Sequence, residues 1–212
     1  LVDCPADPAL AGKSLVLAAG RLHHTGLSPA LSAAISSLAA TLKPAAGLHR
    51  FTQEGQMLQA LVAPLYPVPR LLVLGAGLDA IPLVTLADTL GWRVSVADHR
   101  PAYLARDGFG AAEYTLCAPA AELAQRLPLA TFSAVVVMSH HLATDRVYLQ
   151  QLCASTIPYI GLLGPQARRD RLLQDLGAAA ISLRGRLHGP AGLDIGADSP
   201  ESIALSILAQ IQ

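Results

Sequence analysis

Gly75-Ala76-Gly77-Leu78-Asp79-Ala80 is a GxGxxA hexad set between an apolar run, Leu71 to Leu74, and a segment with helical apolar spacing. Gly75 permits a tight turn out of a strand. Gly77 lets a ligand's phosphates reach backbone N–H groups at the helix start, where unpaired donors and the dipole favour negative charge. Ala80 is small enough for that helix to lie close on a sheet. Asp98 ends the next apolar run, where an acid can accept hydrogen bonds from a ribose, and Arg100 stands beside it. A second group, His140-His141 with Asp145, directly follows the apolar run Ala134 to Met138. These can be acid–base groups, metal ligands or ligand contacts. His140 and Asp145 are the catalytic candidates. Adjacent strand residues point opposite ways, so both histidines do not serve one metal and no metal site is assigned.

Two further stretches can contribute to a site. Gly161-Leu162-Leu163-Gly164-Pro165 is a second glycine turn leading into a helix with Arg168, Arg169 and Arg171. It either holds phosphate or begins an ordinary helix with a solvated basic face. Leu187 to Ala197, containing Gly192, Asp194 and Gly196, reads as an irregular glycine-rich loop that lines a site or covers a sheet edge. GxSxG, HExxH and Walker A patterns are absent. Cys117 and Cys153 are expected as buried core thiols, since nothing near them in sequence argues for activation.

The elements that must position these residues alternate regularly from Arg70 onward. Expected strands lie at 71–75, 93–97, 114–117, 134–138 and 159–162. Expected helices lie at 79–90, 119–126, 144–155, from 165 to about 177, and 200–211, the last capped by Ser199-Pro200-Glu201. That order predicts a Rossmann-like, mostly parallel sheet with helices on both faces, residues 67–212, an α/β fold. Pro64, Pro67 and Pro69 mark a stiff linker. Before it, residues 1–66 predict a small α+β portion: a hairpin from 14–18 and 21–24, a helix opening at Ser28-Pro29 and running to Leu42, and short strands at 50–51 and 58–62.

With 52% hydrophobic and 14% charged residues, the chain is well buried. Fifteen basic residues balance fifteen acidic ones, and Lys13 and Lys43 are the only lysines. That balance supplies no electrostatic reason for nucleic acid or an anionic membrane as partner. Three scattered cysteines make neither a disulfide framework nor a zinc module, so a reducing, cytoplasmic compartment is expected. The apolar stretch from Gly26 to Leu42 is broken by serines, a threonine and a proline and is no membrane span. The chain opens on Leu1 rather than Met, as a chain lacking its native start would.

From about Pro69 to Gln212 the sequence resembles the XdhC/CoxI maturation factors of molybdenum hydroxylases. The resemblance is carried by PRLLVLGAG at 69–77, LGWRVSVADHRP at 90–101, VVVMSHHLATD at 135–145, YIGLLG at 159–164 and HGPAGLDIGADSPESIALSILAQI at 188–211. It implies a Rossmann-like domain of a cofactor chaperone rather than a catalyst. Such proteins bind the molybdenum cofactor (molybdopterin or its dinucleotide form), assist its sulfuration and hand it to an apo molybdenum hydroxylase such as xanthine dehydrogenase. A cysteine desulfurase is a second implied partner, and a homodimer is a candidate assembly. The matching positions are Gly75, Ala76, Gly77, Asp98, Arg100, His140, Asp145, Gly161, Gly164, Gly192 and Asp194. Two positions depart from the family's pattern: His141 replaces an acid, and Leu78 replaces a histidine. Both changes are expected to remove polar groups from the pocket. The family's N-terminal glycine turn carries a cysteine, and the comparable His24 to Pro29 has none. Two other readings stand beside this one. An NAD-dependent oxidoreductase would use Asp98 for NAD, though no Tyr-x-x-x-Lys pair and no second domain to close over a nicotinamide are evident. A non-catalytic interaction subunit would keep the fold without its ligand.

Overall fold

A computed structural model describes residue 9 and residues 12–18, 21–41 and 47–212. The chain divides into two compact units, Leu1–Pro67 and Val68–Gln212. In the first, β1 (Leu15–Ala18) and β2 (Arg21–His24) pair antiparallel, as do β3 (Gly47–Gln53) and β4 (Gln56–Val62). The connection between β3 and β4 is two residues, Glu54 and Gly55, with φ of 51° and 77°. Positive φ at both central positions is the hairpin geometry that matches strand twist. Helix α1 (Pro29–Thr41) starts as expected, the Ser28 hydroxyl accepting the Leu31 N–H at 3.2 Å. Leu27, Leu31, Ile35 and Leu58 form this unit's core. The expected end at Leu42, the link Ala19-Gly20 and Cys4 lie outside the described residues.

In the second unit the strands are β5 (Arg70–Leu74), β6 (Arg93–Asp98), β7 (Tyr114–Cys117), β8 (Ala134–Val137), β9 (Tyr159–Leu162) and β10 (Leu187–His188). They form one parallel sheet in the order β10-β9-β8-β5-β6-β7. The helices are α2 (Ala80–Thr89), α3 (Pro101–Leu104), α4 (Leu123–Arg126), α5 (Leu142–Cys153), α6 (Gln166–Leu176) and α7 (Pro200–Ile211). Alternate residues of the central strands feed two cores. Leu71, Val73, Ala134 and Val136 pack with α2 and α7, and Leu72, Leu74, Val135 and Val137 pack with α4, α5 and α6. Burial on both faces explains why these strands read as unbroken apolar runs. The mostly parallel Rossmann-like sheet and the small antiparallel α+β unit are therefore as the sequence led one to expect.

Strand order reverses between β5 and β8, because the chain builds β6 and β7 on one side and then returns to the other. The loops leaving the carboxyl ends of β5 and β8 must diverge there, which opens a crevice. Three details differ from expectation. Leu187-His188, read as loop, adds a sixth strand, and the His188 ring stacks on Tyr159 with centroids 4.6 Å apart. Cys117 is exposed rather than buried, because β7 is the edge strand and has little to cover it; Cys153 is half-buried. The helix expected at 119–126 begins as a tighter turn over Ala120–Glu122 before α4. Among the described residues no helix is long and apolar enough to cross a membrane.

Candidate functional site

Gly75 leaves β5 with φ +120°, and a Cβ there would stand 2.6 Å from the Met138 carbonyl oxygen and 2.7 Å from Ser139 Cα. Only glycine lets the loop after β5 and the loop after β8 meet backbone to backbone. The Gly75 N–H donates to Ala97 O at 2.8 Å and the Ala76 N–H to Asp98 Oδ2 at 2.7 Å. Among the described residues no acceptor takes the N–H groups of Gly77, Leu78 and Asp79, just ahead of α2. These are donors of the kind an anionic ligand satisfies.

Ser139, His140 and His141 diverge after β8, and each does a different job. His140 takes φ +60°, a conformation few side chains adopt, and its Nε2 lies 2.6 Å from Asp79 Oδ2. A non-glycine residue held in this region marks a place where surrounding structure imposes the geometry. Asp79 thus orients the His140 ring above the glycine turn. Its other carboxylate oxygen lies against Gly77, where a Cβ would collide with it. His141 turns away and caps α5, its Nδ1 accepting the Thr144 N–H at 3.4 Å. Ser139 points inward and donates to Asp145 Oδ1 at 2.5 Å. Asp145 is fully buried, and its Oδ2 accepts from Arg168 Nη2 at 2.7 Å and Nε at 3.3 Å. The carboxylate ties β8, α5 and α6 together. A buried, paired carboxylate with no route to solvent is a structural strut, so the acid–base role considered for Asp145 has no access to a ligand.

Asp98 is equally committed. It is fully buried and accepts four hydrogen bonds, from Ala76 N–H, Arg100 N–H, Arg100 Nε and Arg100 Nη2, at 2.7–2.9 Å. A ribose would have to displace Arg100 to reach it. Burial pushes the carboxyl up, but the Arg100 guanidinium and the Ala76 and Arg100 N–H groups outweigh it and hold it below the ordinary value of 3.8. A depressed folded pKa contributes stability above the unfolded value that is lost as pH falls through the folded one. The urea midpoint should therefore drop as pH falls below about 3.8, and Asp98→Asn should flatten that dependence. A variant with the wild-type acid limb would contradict this assignment.

Some of the remaining predicted residues line a cleft of about 840 Å³ at the carboxyl ends of β5, β8 and β9, whereas Gly75, Ala76 and Gly77 are not in its lining and only Asp79, just after that turn, borders it. Its lining includes Asp79, His140, Leu163, Gly164, Pro165, residues 190–195 and 197–198, Ile203 and Ser206. His140, Gly164, Gly192 and Asp194 thus come together. Gly192 has φ +103°, and its N–H donates to Gln210 Oε1 at 2.9 Å. The Tyr159 hydroxyl donates to the same oxygen at 2.7 Å, which pins the loop to α7. Burial pushes the Tyr159 phenol up to about 12, so it stays a donor. Gly161 is not at the turn. It lies buried in β9, where a Cβ would meet Ala191 Cβ at 3.1 Å, so it serves packing. The arginines behind Gly164 are engaged too: Arg168 on Asp145, Arg169 on Gly189 O and Asp170, while Arg171 is exposed.

Neither Leu78 nor His141, the two departures noted above, lies in the cleft lining. Leu78 is exposed outside it, and His141 caps α5. Asp79 went unnoticed in the sequence because its partner, His140, is distant along the chain; the only local signal is an acid at the start of a helix, usually a cap. Among the described residues no three His, Cys, Asp or Glu side chains are grouped to hold a metal ion.

Residues 71–211 match the model of the XdhC Rossmann domain. A Bacillus subtilis (strain 168) protein described as a probable subunit of xanthine dehydrogenase is 37% identical over 145 residues, 68% of this chain and 42% of that one. The uncharacterized protein YqeB of Escherichia coli (strain K12) is 30% identical over 146 residues, 68% of this chain and 27% of that one. A crystal structure from Bacillus halodurans, described as a xanthine dehydrogenase, superposes with a TM-score of 0.62 at 34% identity, covering 75% of this chain and 45% of that one. The chain spans less than half the length of the curated relatives it matches.

Proposed function

Because this chain belongs to the XdhC family through its Rossmann domain, we propose that it binds the molybdenum cofactor in the cleft above the glycine turn and assists its sulfuration and insertion into a molybdenum hydroxylase of the xanthine dehydrogenase type. The observation that carries this reading is a roomy cleft, walled by Leu163, Pro165, Pro190, Ile195 and Ile203 and bordered by Asp79, the last of three successive residues, Gly77, Leu78 and Asp79, whose N–H groups no described protein acceptor takes. Apolar walls suit a planar ring, and orphan donors ahead of a helix suit a phosphate. The residues present therefore fit such a cofactor: the 77–79 N–H groups and the Gly164 turn for its anionic end, and the 192–195 loop and Ile203 for its ring system. When bound, the cofactor supplies the molybdenum chemistry of the client enzyme. What this chain does is bind, orient and shield it, with His140 held by Asp79 as the polar group nearest the turn.

A cofactor carrier of this kind acts in the cytoplasm, with the apo-hydroxylase and a cysteine desulfurase as partners. The NAD reading is disfavoured by Asp98, whose oxygens are already taken by Ala76 and Arg100. The test is maturation of a client. Apo molybdenum hydroxylase supplied with free cofactor should gain activity several-fold faster with this protein present, and an unchanged rate would overturn the chaperone role.

A further inference from the structure

The charged side chains that line the cleft are Asp79, Asp194 and Asp198, with His140, and no lysine or arginine is among them. A site made to hold a ligand only by its phosphates would carry the opposite balance. Asp79 is occupied by His140. Asp198 lies next to the α7 cap, its backbone N–H bonded to Ser202 Oγ at 3.1 Å. Asp194 has neither kind of tie: among the described residues none hydrogen-bonds or ion-pairs with its side chain. It is flanked by Leu193 and Ile195, 46% and 51% exposed, both lining the same cleft. Two large apolar side chains gain nothing from facing water. With a carboxylate between them, they make a surface for a flat ring that carries hydrogen-bond donors on one edge.

Resting on the cofactor-binding reading above, we propose that Asp194 is the specificity determinant that reads the N–H edge of a 2-amino-4-oxo pyrimidine ring, the edge that a pterin presents. A carboxylate is acceptor-only, with two oxygens set side by side. The 2-amino group and the adjacent ring N–H are two parallel donors, which a carboxylate meets as it meets the fork of a guanidinium. The ring then lies on Leu193 and Ile195, and its phosphate end reaches the unpaired N–H groups of residues 77–79. This assigns the two ends of the ligand to opposite sides of the cleft. A site built to accept those hydrogens rejects an analogue that presents an oxygen in place of the amino group, because two acceptors would then face each other.

The experiment compares pterin with lumazine, which carries oxygen where pterin carries the 2-amino group, by fluorescence titration and by competition against molybdenum cofactor. The wild-type chain should bind pterin about tenfold tighter than lumazine. Asp194→Asn should shrink that preference to about threefold or less, while Asp175→Asn, at an exposed position of α6 outside the cleft lining, should retain it. Asp194 is exposed, so the variant is expected to fold as the parent does. Equal affinity for both rings in the wild type, failure of pterin to compete with bound cofactor, or a preference that survives Asp194→Asn would each overturn the assignment. If the cofactor binds without such a preference, the Asp194 assignment falls and the cofactor-binding reading stands. If cofactor, pterin and lumazine all fail to bind, both fall.

Discussion

Gly75→Ala is expected to destabilise the Rossmann-like unit by roughly 3 kcal/mol or more, by two effects that add. The residue's φ of +120° is one that an alanine adopts only under strain. The added Cβ would also meet the Met138 carbonyl oxygen at 2.6 Å, its carbon at 2.7 Å and Ser139 Cα at 2.7 Å. These are backbone atoms of the loop that leaves the central strand β8, so no side chain can rotate away to relieve the contact. The two innermost strands would have to separate at their carboxyl ends, where the cleft begins. Gly91→Ala supplies the control. It also has positive φ, +77°, but a Cβ there meets nothing within 4 Å. It should cost only about 1 kcal/mol. Urea unfolding followed by circular dichroism measures both, and comparable losses for the two variants would refute the close-approach explanation.

Asp145→Ala should cost roughly 3–5 kcal/mol, because it leaves the Arg168 guanidinium, only partly exposed, without its partner and Ser139 without its acceptor. The loss should be smaller where both charges go together. In Asp145→Leu with Arg168→Met, apolar side chains replace the pair, and much of the stability should return. Equal destabilisation by the single and the double variant would argue against an uncompensated charge as the cause. Since Ser139 immediately precedes His140, Asp145→Ala should also loosen the geometry of the cleft. In the proposed cofactor binding the part of Asp145 is thus one of position rather than contact.

Much of this architecture was legible in the amino-acid pattern because burial dictates it. Strands with both faces covered must be apolar throughout, and Leu71–Leu74 and Ala134–Val137 are. Ser199-Pro200 announces α7 because a hydroxyl cap followed by proline is a local device, and Ser199 does accept the Ser202 N–H at 3.2 Å. The partners of the polar residues were not legible. Asp98 looked available to a ribose because nothing local shows that Arg100 folds back on it with both oxygens engaged. Gly161 and Gly164 look alike in sequence, yet one is packed inside β9 and the other turns with φ +120° at the cleft. Asp145 beside two histidines suggested acid–base chemistry, and only the approach of α6 reveals Arg168 as its partner. Cys117 read as a core thiol because a short apolar strand does not announce that it lies at a sheet edge. Tertiary pairing decides each of these cases.

In the proposed reading a pterin-phosphate cofactor binds over the Gly75–Gly77 turn. Equilibrium titration of the purified chain with molybdenum cofactor and, separately, with NAD tests it most directly, with Gly77→Val as the companion variant. The nearest atoms to a Cβ at residue 77 belong to the Asp79 carboxylate and the edge of the His140 ring, side-chain ends rather than backbone, so the variant should fold while the turn is blocked. The cofactor should bind the wild type in preference to NAD and should lose at least tenfold in affinity with Gly77→Val. Binding of NAD alone, or cofactor affinity unchanged by Gly77→Val, would show that the cofactor does not bind over this turn.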